Sequence, residues 1–202
     1  MTDVTVLLAV ALLGVLLGSV PVALLVARRH GVDLRAVGDG NPGAWNALDH
    51  LGARRAWPAF VGDGLKGTVA GAVGWVAGGA LVDGAPWPGS PELLGAYVGV
   101  AGAMVGHAFP LFARLRGGKS VMTFVGGAFV LCLPAAAIAL GVCVLVSSVG
   151  RSFAVGARVA VVLFPVLQLG LASVEAVMAT GLLMTIIGAR FLVAGGAPAQ
   201  AS

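Results

Sequence analysis

The run VTVLLAVALLGVLLGSVPVALLVA extends from Val4 to Ala27 and is followed at once by Arg28 and Arg29. It holds no charged residue and exceeds the roughly 20 apolar residues that cross a bilayer. A cleaved secretory signal carries its positive charge ahead of the apolar core, whereas here Asp3 precedes the run and the arginines follow it. The segment reads as a first membrane helix. The positive-inside rule then puts the N-terminus outside and the Arg28–Arg55 loop inside. The whole chain agrees, since 59% of its 202 residues are hydrophobic and only 10% charged, against about 25% charged in soluble domains. Such a chain is solvated by lipid, and the expectation is an all-α, single transmembrane domain over residues 1–194, with 195–202 a flexible tail.

Outward from that first run, Ala56–Val82 is apolar but contains Asp63 and Lys66, three apart, as an i,i+3 ion pair would require. The loop from Asp83 to Glu92 has two acids and no Lys or Arg and reads as external. Leu93–Ala113 returns to Arg114, Arg116 and Lys119. Val121–Gly150 has positive charge beyond both ends, so the chain must go out and back within one stretch that is short of the roughly 40 residues of two full spans. This predicts two short helices with a break near Pro134, the rival being one long tilted helix. Val159–Leu192, with Glu175 at its middle and Arg190 near its end, fits another pass out and back. The sum is about seven short transmembrane helices.

Glycines four apart in the apolar runs (Gly14 and Gly18, Gly67 and Gly71, Gly74 and Gly78, Gly95 and Gly99) suit close helix packing. Cys132 and Cys143 lie in an apolar stretch without His at ligand spacing and read as packing residues. No metal and no cofactor are expected. The net charge of +4 contains no basic run, which argues against nucleic acid.

Three polar loops fall on the expected inner face. Val37-Gly-Asp-Gly-Asn-Pro-Gly-Ala-Trp-Asn46 can converge its amides on an anion, although a tight interhelical turn needs the same residues. Gly106-His-Ala-Phe-Pro110 leads to Arg114, Arg116, Gly117, Gly118, Lys119 and Ser120. Paired glycines before a lysine let amides and an ammonium reach one phosphate, helped by a helix starting near Ser120. It is not a Walker A loop, because Ala113 stands where the leading glycine belongs. The same cations could simply touch lipid headgroups. The third loop, Ser147–Ser152, offers Ser152 as a donor, and His107 reads either as a hydrogen-bonded structural residue or as a base.

In order, these loops resemble the bacterial acyl-phosphate:glycerol-3-phosphate acyltransferases, the PlsY family. Gly18-Ser-Val-Pro21 is similar to its GSxP, and Gly31-Val-Asp-Leu-Arg35 with Gly38-Asp-Gly-Asn-Pro-Gly-Ala-Trp-Asn46 to its GxDxR and GSGNxGATN. Asp63-Gly-Leu-Lys-Gly67 looks like DxxKG, Gly106-His107 with Pro110 like GHxxP, and Gly117-Gly-Lys119 like GGKG. The resemblance covers Gly18 to about Ser152. It implies a seven-helix protein of the bacterial inner membrane with its active site on the cytoplasmic face. The implied reaction moves an acyl group from acyl-phosphate to the 1-hydroxyl of glycerol 3-phosphate. Lys119 would clamp phosphate and Ser152 would hydrogen-bond it. Asn41, Gly43, Asn46, His107, Gly117 and Gly118 would form the substrate-binding surroundings, with the acyl chain between helices among membrane lipids. Nothing in the residues specifies an oligomeric state.

The chain also departs from that pattern. Asp39 replaces the family's serine, Asp49 its arginine three residues after Asn46, and Ser120 the last glycine of GGKG. The family's terminal His and Asn are absent, and Met184, Thr185, Ile187 and Arg190 occupy that region. These departures leave two other readings open: a non-catalytic membrane scaffold or regulator, and an acyltransferase with a changed acceptor in which Asp39 and Asp49 bind hydroxyls, an amine or a divalent cation.

Overall fold

A computed structural model describes residues 3–84 and 89–195. Helices are α1 (Asp3–Gly18), α2 (Val22–Arg29), α3 (Ala44–Leu51), α4 (Ala53–Leu81), α5 (Pro91–Ala108), α6 (Val121–Leu131), α7 (Leu133–Gly150), α8 (Phe153–Leu171) and α9 (Val174–Gly195), with a 3₁₀ turn at Leu111–Ala113. Among the described residues there is no strand, and the chain is an all-α, multi-pass membrane protein. Five segments are long and apolar enough to cross a membrane: Asp3–Arg29, Pro91–Ala113, Leu133–Gly150, Phe153–Leu171 and Val174–Val193. The expected tail begins at the last residue of α9, and 196–202 lie outside the described residues.

Local chemistry sets the breaks. Pro21 lacks an amide proton and stands between α1 and α2, where the Ser19 hydroxyl donates to the Val15 carbonyl at 2.7 Å. The Val121–Gly150 stretch is two helices. They divide at Cys132, whose extended backbone (φ −159°) precedes Pro134 in the first turn of α7. Proline is tolerated at a helix start, where its missing donor costs nothing, so it opens α7 and does not continue α6. The second pair divides at Ala172–Ser173, and Glu175 consequently sits in the first turn of α9. Ser90 caps α5, its hydroxyl accepting from Leu93 N at 3.2 Å.

Helix α5 is the hub. It packs on α1, α4, α6 and α9, while α7 pairs mainly with α8. Glycine makes the hub possible. A Cβ on Gly74 would strike the Gly95 carbonyl, and one on Gly95 would strike the Gly74 carbonyl, so α4 and α5 meet backbone to backbone. Gly14 and Gly18 of α1 meet Gly99, Gly102 and Ala103 of α5 in the same way, and Gly67 of α4 meets Thr123 of α6. Outward-facing leucines and valines on α1, α7, α8 and α9 stay exposed, as lipid-facing residues should.

Candidate functional site

The three polar loops converge at one end of the bundle. The first is held from within by Asn46, which is buried and whose Nδ2 donates toward the carbonyls of Leu34 (2.8 Å), Val37 (3.0 Å) and Asn41 (3.1 Å). Asn46 therefore shapes the loop and does not face outward. Gly38 (φ +59°) sits where a side chain would strike Asn46 Oδ1. Gly43 is buried ahead of α3, with the Asn41 side chain against it.

Two cations stitch this loop to the second. Arg35 Nη2 donates to the carbonyls of Ala113 (2.8 Å) and Arg116 (2.9 Å). Lys119 Nζ meets Asp39 Oδ2 at 2.8 Å, and Asp39 Oδ1 accepts from Asn41 N at 3.1 Å. Partial burial pushes the Asp39 carboxyl up, but the Lys119 hydrogen bond and charge, with the Asn41 amide, outweigh it and hold its pKa below the ordinary value of 3.8. Asp49 is exposed on α3 and makes no ion pair among the described residues.

Beneath the second loop lies a buried polar cluster. Lys66 Nζ bonds Asp63 Oδ1 at 2.8 Å, and His107 Nδ1 is 3.4 Å from Lys66 Nζ and 3.7 Å from Asp63 Oδ1. All three are at least nine-tenths buried. His107 also explains the paired glycines: Gly118 N donates to the His107 carbonyl at 3.1 Å, and a Cβ on Gly118 would strike His107 Nε2. Lys66, His107, Arg116, Gly117 and Gly118 line one small cleft with Pro42 of the first loop.

The third loop joins through aromatic contact. Phe153 stacks on Trp45 of α3 (centroids 5.0 Å apart, planes 3° apart) and meets Phe60 edge-on. Ser152 caps α8, its Oγ accepting from Val155 N at 3.4 Å, which leaves its hydroxyl proton available to another acceptor. The structure thus gathers Lys119, Asp39, Asn41, His107, Gly117 and Gly118 in one place. Ser152 is tied to the cluster through α3, with no direct bond to Lys119.

Sequence reasoning gave no site role to Arg35, Arg190 or Phe191. Arg190 Nε and Nη2 donate to the carbonyls of Gly118 (3.2 Å) and Gly117 (2.8 Å), and Lys119 Nζ lies 4.5 Å from the Phe191 ring centroid. No pattern in one chain announces a side chain that binds carbonyls of a distant loop. Chemically, amides and cations that outnumber the two acids suit an anionic head.

The model of the glycerol-3-phosphate acyltransferase family matches residues 8–193. The glycerol-3-phosphate acyltransferase of Jannaschia sp. (strain CCS1) is 35% identical over 181 residues, covering 89% of this chain and 83% of the relative. That of Rubrobacter xylanophilus is 42% identical over 123 residues, covering 61% of this chain. This match and the ones to Exiguobacterium sibiricum and Geobacillus kaustophilus span 56%, 52% and 53% of the relatives' own lengths, about half. A crystal structure of PlsY in its glycerol 3-phosphate form superimposes with a TM-score of 0.75 at 24% identity, covering 93% of this chain and 88% of the other. With the motif order, the helical frame and the family match in agreement, the chain belongs to the glycerol-3-phosphate acyltransferase family.

Proposed function

We propose that the chain transfers a fatty acyl group from acyl-phosphate to glycerol 3-phosphate, forming lysophosphatidic acid for phospholipid synthesis. The observation that carries this reading is the meeting of the Lys119 turn with the Asp39–Asn41 loop, 80 positions apart in sequence, at 2.8 Å. The relatives' shared name and the PlsY structures with glycerol 3-phosphate and lysophosphatidic acid point the same way. In the reaction the 1-hydroxyl oxygen of glycerol 3-phosphate attacks the acyl carbonyl carbon. A new C–O ester bond forms, the acyl C–O bond to phosphate breaks, and the hydroxyl proton leaves on the released phosphate. Lys119 supports the charge on phosphate, Ser152 donates a hydrogen bond to it, and Gly117, Gly118, Asn41 and Gly43 shape the surrounding backbone. Asn46 and His107 hold that backbone from beneath. The acyl chain lies between helices, and acyl-phosphate arrives from the bilayer.

The same reading makes the protein a seven-crossing protein of the bacterial inner membrane, N-terminus outside and site cytoplasmic, with residues 1–194 as one domain. Arg28, Arg29, Arg35, Arg114, Arg116 and Lys119 support that orientation, because the loops carrying them share one end of the bundle.

The test is purified protein with acyl-phosphate and radiolabelled glycerol 3-phosphate. Lys119→Ala is expected to lower turnover by about 10²–10³-fold and Ser152→Ala by less. Wild type without turnover, in a preparation that is folded by thermal unfolding, would overturn the reading. The Asp39–Lys119 ion pair favours one alternative, a relative whose phosphate lysine is neutralised from within. Turnover that is absent in the wild type and appears in Asp39→Ser supports it.

A further inference from the structure

Arg190 and Phe191 are consecutive residues in the last turns of α9. Helix α9 is among the less buried helices, yet its end grips the Gly117–Lys119 turn. Arg190 holds two successive carbonyls, at 2.8 and 3.2 Å, and its guanidinium lies 5.1 Å from the Phe109 ring centroid. A planar fork is suited to such a grip, and a lysine there would reach one carbonyl at a time. Each peptide is planar and trans, so the Gly118 carbonyl facing Arg190 turns the Lys119 N–H the opposite way. Gly117 and Gly118 have no side chains to steady the turn. Arg190 fixes it from one side and the His107 carbonyl, bonded to Gly118 N at 3.1 Å, from another. Phe191 offers the Lys119 ammonium an aromatic face besides the Asp39 carboxylate.

We infer that Arg190 and Phe191 are positioning residues for Lys119, holding the Gly117–Lys119 turn so that its ammonium meets substrate phosphate. The inference rests on the acyltransferase reading above, and its tests separate the two.

The first test is a double-mutant cycle on full-length protein in detergent. Arg190→Gln is expected to lower kcat/KM by about 10- to 100-fold, and Arg190→Lys to lose less. In a Lys119→Ala background Arg190→Gln should cost less than about 3-fold more, because residues acting through one another are not additive. An equal loss in both backgrounds, or none in either, overturns the inference. The second test needs no turnover: the rate at which an amine-acetylating reagent modifies Lys119, read by peptide mass spectrometry. Arg190→Gln and Phe191→Ala should raise it several-fold, and Arg190→Lys and Phe191→Leu should raise it less. An unchanged rate overturns the inference even in a preparation without turnover. A rate raised in these variants of a protein whose wild type never turns over sinks the acyltransferase reading and leaves the positioning roles standing.

Discussion

The two sides of this bundle are built differently. The α5 segment is 67% buried and the α1–α2 segment 33%, whereas the figures are 22%, 17% and 28% for α7, α8 and α9. The first side is joined by many glycine-to-backbone contacts between α1, α4, α5 and α6, whereas on the second such a contact appears at Gly156 of α8 against Cys143 of α7, and Phe164, Ala176, Ala179 and Leu183 pack in an apolar cluster shared with α5 and α6. In lipid there is little hydrophobic gain from joining two helices, so close backbone approach has to supply the cohesion. The polar loops are mounted on the glycine-joined side, and the other side reaches them chiefly through Phe153 and the end of α9. The difference teaches that rigidity is concentrated where charged groups must be held in register.

The largest effect that would break this contrast is a Cβ in the glycine seam. Gly74→Val should destabilise by about 3 kcal/mol or more, since only backbone is there to give way. Thermal unfolding in detergent checks it, and an unchanged midpoint would remove the seam from the argument. Next comes Lys66→Met, which strands the Asp63 carboxylate. Asp63 Oδ2 already has no hydrogen-bond partner among the described residues, and breaking one half of a buried pair costs about 3–5 kcal/mol. Denaturation of the variant alone and with Asp63→Leu measures how much of the loss belongs to the stranded charge.

A smaller and directional effect concerns Asp39. Its pKa is lowered on folding, so its stabilising contribution is complete above 3.8 and disappears as pH falls through the lower native value. Asp39→Ser should remove that acid-side component and, in the transfer assay, lower KM for glycerol 3-phosphate by releasing Lys119. A KM that rises instead would mark Asp39 as a useful substrate contact. Smallest of all is Gly141→Ala on α7, where an added Cβ meets nothing within 4 Å. Helix propensity then favours the variant by up to about 1 kcal/mol, and a loss would show the second side to be as tightly joined as the first.

Much of the frame was legible in the chain. Apolar runs bounded by arginine located the helices, Pro134 marked the helix break to within two residues of Cys132, and the four-residue glycine spacing anticipated the α4–α5 contact. The site was legible only in part. Loop composition drew attention to Lys119, Asn41 and His107 because glycine and charge are rare together in an apolar chain. The Asp39–Lys119 pair was not legible, since like an ordinary departure it showed only that an acid stood where a hydroxyl was expected. Arg35 and Arg190 carried no expected site role, because their partners are backbone carbonyls 72 to 81 positions away, which leave no side-chain signature.

The turn at Cys132 has a wider consequence. Helix α6 has 11 residues and a length of about 16 Å, roughly half the hydrocarbon thickness. Cys132 N donates to Ala128 O at 3.0 Å and Cys132 O accepts from Ala136 N at 3.0 Å, so the break strands neither group in oil. Where a break keeps its own peptide groups bonded, a short helix can end inside an apolar stretch without reaching water. A ruler that recognises only full-thickness segments will then pass over such an element.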